Sequence, residues 1–226
     1  MSRPALALSL LLAASAAYAQ ITPGNYITPG GAFSLQITPG AFEISGAGQS
    51  GAACMMDGLL KGNTGRAADA GKTCIVKFTK HADGVLVKAR TRAICARFCG
   101  AEASIEGLYA RPAPGCADKE RERTQKAVEA ATKAKDDAKV ESLLSKQIEA
   151  CAKTLSWLDT IGARTDLAAA QMRQGRKPDC LKTLQPHVED ADANEDKLQE
   201  KYTSFDLYRY EPTLKELRDT LRQCRA

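Results

Sequence analysis

The sequence predicts an α+β protein of two parts: a small disulfide-stapled antiparallel β-domain, then an all-helical, repeat-like domain. Three observations carry this. Composition shifts at residues 112–115 (PAPG), from Gly, Thr and β-branched residues to Ala, Lys, Glu, Leu and Gln at helical spacing. Before that point apolar and polar residues alternate in short runs. Of the 8 cysteines, half lie on each side of it. The chain divides into a signal peptide over 1–19, a β-rich domain over 20–111, a linker over 112–117 and a helical domain over 118–226. Of 226 residues, 44% are hydrophobic and 26% charged, which excludes wholesale disorder and a membrane-embedded body. A formal charge of +5 is too dilute for a nucleic-acid binder.

Residues 1–19 have the parts of a secretory signal: Arg3 near the start, an apolar run over 5–16, and Ala17-Tyr18-Ala19 before Gln20. The run is shorter than the about 20 residues a membrane span needs. No Cys follows the cleavage site, so no lipid anchor is expected. In the β-domain, Ile-Thr-Pro-Gly recurs at residues 21–24, 27–30 and 37–40. The unequal spacing argues for type II turns rather than a solenoid. Alternation predicts strands over 32–37, 41–45, 74–79 and 84–90, with Asp83-Gly84 as a hairpin turn. Residues 46–51 and 62–71 read as loops. The expected outcome is a small sheet or barrel-like sandwich that depends on staples.

An even cysteine count in an exported chain predicts disulfides. Cys54, Cys74, Cys95 and Cys99 form one natural set, and Cys116, Cys151, Cys180 and Cys224 the other, with the pairing inside each set open. Cys95 and Cys99 have a spacing seen in zinc sites, but no second ligand pair matches it, so no metal is expected. The segment Cys95-Ala-Arg-Phe-Cys-Gly-Ala-Glu-Ala-Ser-Ile-Glu-Gly-Leu-Tyr109 resembles a motif, C-x-x-[YF]-C-G-x-x-A-x-[FI]-E-G-x-Y, of a group of exported proteobacterial proteins. The resemblance implies export and a β-rich part before a Cys-bearing helical tail. It implies no activity.

Asp118 is the predicted N-cap of the helical part. Ala127, Val128, Ala131 and Ala134 form one apolar stripe, and Val140, Leu143, Leu144 and Ile148 another. Residues 154–174 predict one long helix, or two broken near Gly162. Gly175 stands at its C′ position and Pro178 opens the next. Leu214, Leu217 and Leu221 mark a last amphipathic helix. Residues 127–144 align with 167–184 at an offset of 40. In the second copy Leu167, Ala168, Gly175 and Leu184 resemble the large, small, turn and large positions of tetratricopeptide repeats. Cys180, Gln171, Pro186 and His187 depart from that pattern. The resemblance implies stacked helix pairs with a concave binding face.

No catalytic set is visible. The 2 histidines, His81 and His187, read as a turn and a helix-surface residue. G-x-S-x-G, P-loop and H-E-x-x-H motifs are absent. Glu102 and Glu106 could form a carboxylate pair. Asp190, Asp192, Glu195 and Asp196 lack the Gly of a calcium loop and read as a solvated face. Aromatics make up only 5% of the chain, yet Tyr202, Phe205, Tyr208 and Tyr210 crowd together beside Arg209. With Trp157 they are the candidate partner-binding residues. The expectation is a periplasmic or secreted, non-enzymatic protein-binding or scaffolding protein. It has no cofactor, no nucleic acid and no stable membrane insertion, and its helical domain holds a protein or peptide partner of the cell envelope. The alternatives are an inhibitor or immunity protein against an exported cell-wall lytic hydrolase, recognising it through loops 46–51 and 62–71, and a hydrolase using Glu102 and Glu106.

Overall fold

A computed structural model describes residues 21–48, 51–100 and 103–226. The signal-peptide reading of residues 1–19 and the carboxylate of Glu102 lie outside them. Side-chain alternation organises the first part. In β2 (Phe33–Thr38) Phe33, Leu35 and Ile37 turn inward while Gln36 and Thr38 face water. The same period runs through β1 (Gly24–Ile27), β3 (Ala41–Ala47), β4 (Ala53–Lys61), β5 (Thr64–Asp69), β6 (Lys72–His81), β7 (Gly84–Ala89) and β8 (Gly107–Ala110). Each strand pairs antiparallel with the next, and β8 returns to β1 at Ala110 and Ile27, so the described residues form a closed eight-stranded barrel.

This corrects the expected small β-domain. Strands β2, β3, β6 and β7 lie where alternation is plain, but β1, β4, β5 and β8 join them and close the wall. Strand β5 occupies most of the stretch read as a loop over 62–71, leaving a two-residue turn at Asn63 and the positive-φ Gly62. Strand β3 runs to Ala47, so the loop read over 46–51 starts later. An inhibitor acting through those loops loses most of its recognition surface.

Eight strands leave an interior just wide enough for side chains. The Phe42 and Phe78 rings meet edge to face at 5.1 Å. A Cβ on Gly65 would lie 2.6 Å from Phe42 and 2.7 Å from Phe78, so β5 must present glycine there. Gly65→Val is expected to lower stability by about 3 kcal/mol through overpacking, read as a lower denaturant midpoint at unchanged slope. A loss under about 0.5 kcal/mol would mean that the two rings can yield.

One end of the barrel is closed by α1 (Arg92–Cys95) and a 3-10 turn at Ala96–Phe98, both between β7 and β8. Cys95 is bonded to Cys74 on β6, and Cys99 to Cys54 on β4. Glu106 accepts the Ala89 N–H at 2.9 Å and lies 3.4 Å from Arg92, so its carboxylate fastens this lid. At the other end Arg111 donates to the Tyr26 hydroxyl at 2.9 Å, which donates to the Thr22 carbonyl at 2.6 Å.

The second part holds α2 (Asp118–Lys133), α3 (Asp137–Ala150), α4 (Trp157–Arg173), α5 (Lys177–Leu184), α6 (Val188–Asp192), α7 (Glu195–Lys201) and α8 (Ser204–Arg225). Their starts are capped by side chains: Asp136 accepts from the Lys139 N–H, Ser156 from Asp159, Asn194 from Lys197 and Thr203 from Asp206. Asp118 is not the cap of α2, because Glu120 reaches back to the Gly115 and Ala117 N–H groups and Asp118 pairs with Arg121. Helix α4 runs unbroken through Gly162 and is central: α2, α3 and α4 share Val128, Val140, Leu144 and Leu167, while α4, α5 and α8 share Ala168, Leu184, Leu217 and Leu221. Pro186 sits in a 3-10 turn that ends α5 after 8 residues, against 14 in α3. The turns inside the two helix pairs keep the offset of 40, with Lys135 and Gly175 both at positive φ, and the second pair departs from the first in its shorter second helix.

Cys116–Cys151 ties the linker to the end of α3, and Cys180–Cys224 ties α5 to α8, so no disulfide joins the two parts. They touch where the Gly30 N–H donates to the Lys153 carbonyl at 3.0 Å and where Phe205 lies against Gly51.

Candidate functional site

A groove of about 520 Å³ crosses the helical part, between α2, α4 and α8. Its walls carry Asp118, Arg121 and Glu122 from α2, Asp159 and Asp166 from α4, and Thr213 from α8. Gly162 and Ala163 form the floor. A Cβ on Gly162 would meet nothing within 4 Å, so packing does not require glycine there; its absence of a side chain leaves the groove open.

The electrostatics are acidic and partly uncompensated. Arg121 bridges Asp118 at 2.9 Å and Asp159 at 3.0 Å. Burial alone would lower its pKa, and the two carboxylates more than offset that, holding the guanidinium charged. Glu122 leans away to Lys126 at 2.7 Å, whose ammonium holds the carboxyl below its ordinary value. Asp166 has no hydrogen bond or ion pair among the described residues. Its tip is open to water, but protein on both walls crowds it. Desolvation, helped by the charge of Glu216 and opposed by Arg173, raises its pKa. The groove thus presents one carboxylate, Asp166, that no cation of the described residues bonds.

The residues predicted for partner binding are placed elsewhere. Trp157 stacks on Tyr202 at 5.1 Å and meets Tyr210 edge-on at 5.2 Å. Tyr210 is fully buried, which takes it out of any accessible surface. Phe205 packs one side against the barrel at Gly51, with Arg209 over its ring at 5.6 Å. Tyr208 is 78% exposed, and Trp157, Phe205 and Arg209 also keep a face toward water. Sequence reasoning missed the groove carboxylates, whose only signal was the Gly162-Ala163 pair inside a helix.

A second misreading concerns Asp190, expected on a solvated acidic face. It is 5% exposed. It accepts from Lys201 Nζ at 2.5 Å, the Tyr202 hydroxyl at 2.5 Å and the Tyr210 hydroxyl at 3.3 Å. Asp192 does face water, in a bidentate pair with Arg225. His81 lies in an exposed turn beside Asp83, and His187 is half-buried near Arg164, Asp190 and Lys201. Among the described residues no group of three His, Cys, Asp or Glu is placed to hold a metal ion. All eight cysteines are bonded, which suits an oxidising compartment outside the cytoplasm. No helix among the described residues is long and apolar enough to cross a membrane.

No family model, no curated protein and no solved structure matches the chain.

Proposed function

We propose that this is an exported, non-enzymatic binding protein of the periplasm or the extracellular space, whose helical part holds an extended, cationic segment of a partner protein between α2, α4 and α8. The observation that carries the reading is the groove itself: an open trough over Gly162, with Asp166 unpaired on its wall. A Lys or Arg entering it would pair with that carboxylate, which no cation of the described residues bonds. The export signal and the disulfides agree with a partner met outside the cytoplasm.

The test uses titration calorimetry with blocked Lys/Arg-rich peptides. Gly162→Leu fills the trough and is expected to weaken binding at least 10-fold, while stability holds or rises by about 0.5–1 kcal/mol, since leucine is the better helix former. Equal binding by the variant removes the groove from consideration. Asp166 also fixes the pH dependence. Its raised pKa means that it protonates at a higher pH than an ordinary aspartate near 3.9, so affinity falls first in that higher range as pH drops. Asp166→Asn should abolish that early loss.

A further inference from the structure

The charges on the barrel wall are unevenly placed. On β5, β6 and β7 the inward positions hold Gly65, Ala67, Val76, Phe78 and Val87, so alternation turns Arg66, Ile75, Lys77 and Lys88 outward. Lys77 stands directly opposite Lys88, a like-charge cross-strand pair. One row nearer the lid Arg66 lies opposite Ile75. The Arg90 N–H donates to the Ile75 carbonyl at 2.7 Å, which sets Arg90 on the other side of that residue. The side chains of Arg66, Lys77, Lys88 and Arg90 make no hydrogen bond or ion pair among the described residues.

The acids that border this face are already engaged. Asp69 at the end of β5 pairs with Arg97 at 2.8 Å, Asp83 in the β6–β7 turn with His81 at 3.4 Å, and Glu106 before β8 with Arg92 at 3.4 Å. The carboxylates of the wall that lack partners, Glu43 and Asp57, stand on β3 and β4. In the closed wall β6 is four strands from β2. The cationic face is therefore turned away from the β1–β3 side, where Asn25, Gln36 and Glu43 share a cleft with Asp118 and Lys119 of the helical part. Phe78 is the only Phe, Tyr or Trp of β5, β6 and β7, and it points inward, so these strands offer no ring for stacking on a sugar. The outside of a barrel is convex, and long Lys and Arg side chains on it reach toward a plane of anions rather than round a single strand.

We propose that the outer face of β5–β7 docks the protein on a bilayer surface of anionic phospholipid. Lipid phosphodiesters bridge Lys77 and Lys88 and pair with Arg66 and Arg90. Each bridge relieves a repulsion that the fold otherwise carries between the two lysines. Half-buried Ile75, with an arginine on either side, meets the headgroup layer. The bilayer is touched and not crossed, and the helical part is left on the far side of the barrel. The site is independent of the helical groove.

The test is co-sedimentation of the full chain lacking residues 1–19 with vesicles of one part phosphatidylglycerol to two parts phosphatidylcholine. Saturable binding is expected, with release at high salt. Lys77→Gln with Lys88→Gln should weaken it about 25-fold, since a cation near an anionic surface is worth about 5-fold. That change removes a like-charge pair, so folding is kept and is checked by thermal unfolding. A control with the same loss of charge, Lys133→Gln with Lys139→Gln on exposed positions of α2 and α3, should stay within about 2-fold of the parent. Gly162→Leu should leave vesicle binding unchanged. Equal binding to vesicles of phosphatidylcholine alone, an equal loss in the control pair, or loss in Gly162→Leu overturns the proposal. So does absence of vesicle binding. Dextran sulfate held through Lys77 and Lys88 by a chain that leaves the vesicles unbound also overturns it, and assigns the face to an acidic polysaccharide.

Discussion

Asp190→Ala is expected to lower the stability of the helical part by about 3 kcal/mol, the cost of leaving buried donors without their charged acceptor. The carboxylate gathers α6, α7 and α8: Lys201 and Tyr202 reach it from the end of α7, and Tyr210 from the interior of α8. Tyr210 cannot turn to water, since it is fully buried against Trp157 and Tyr202. Lys201 is half-exposed and recovers hydration, which keeps the loss below that of a fully buried pair. Burial pushes the Asp190 carboxyl up, but the Lys201 and Tyr202 bonds outweigh it, and the net pKa lies below the ordinary value. A depressed folded value means stability that is present above the unfolded aspartate pKa near 3.9 and lost as pH falls below it. His187 adds an earlier step of the same sign. Desolvation, then Arg164, hold its pKa down, so the unfolded chain takes up a proton first as pH falls below about 6.5. At the alkaline end Tyr202 and Tyr210 are held above the ordinary phenol value, so stability drops as pH rises beyond about 10. Asp190→Asn keeps the shape and removes the charge. Thermal unfolding across pH should show its limb below about pH 4 flattened and its limb near pH 6 intact. An unchanged acid limb would assign the acid sensitivity to other carboxylates.

How far the sequence shows this molecule depends on what fills each inward position. Strands β2, β3, β6 and β7 are legible because Phe33, Leu35, Ile37, Phe42, Ile44, Val76, Phe78, Val85 and Val87 are bulky and recur every second residue. Strand β5 is silent because Phe42 and Phe78 already occupy the space across from it, leaving Gly65 and Ala67 as its inward residues, and β4 is silent because its outward Met55 and Leu59 are as apolar as its inward Met56 and Leu60. A glycine chosen for room looks the same in sequence as a glycine chosen for a turn, which is why 62–71 reads as a loop. The closed barrel follows from long-range fit and leaves no local trace. The groove is hidden for a related reason: Asp118 and Asp166 are far apart in the chain, and helix packing brings them to one trough. Asp190 fails differently. Four acids in seven residues suggest water, and only the tertiary contacts from Tyr202 and Tyr210 single out one of them for burial.

Removing both lid disulfides, by Cys54→Ala with Cys99→Ala and Cys74→Ala with Cys95→Ala, is expected to unfold the barrel and leave the helices standing. The bonds close loops of 45 and 21 residues. Each such closure constrains the unfolded chain by about 3–4 kcal/mol. Together they rival the whole stability of a domain, about 5–15 kcal/mol. The barrel has little reserve: its β1–β8 seam is a single residue pair, its β4–β5 seam is three, and the lid that covers its core is fastened mainly by these sulfurs. The helical part keeps both of its own disulfides. The contacts between the two parts are few, resting on Gly30, Gly31 and Gly51 against Lys153, Thr154 and Phe205. Trp157 is the only tryptophan and sits in the helical aromatic cluster, so its fluorescence reports that part alone. The variant should lose the barrel's strand signal in far-ultraviolet circular dichroism while Trp157 emission and its melting transition stay near those of the intact protein. Loss of both signals together would mean that the small interface couples the two parts into one cooperative unit, and that the barrel supports the helices through Phe205.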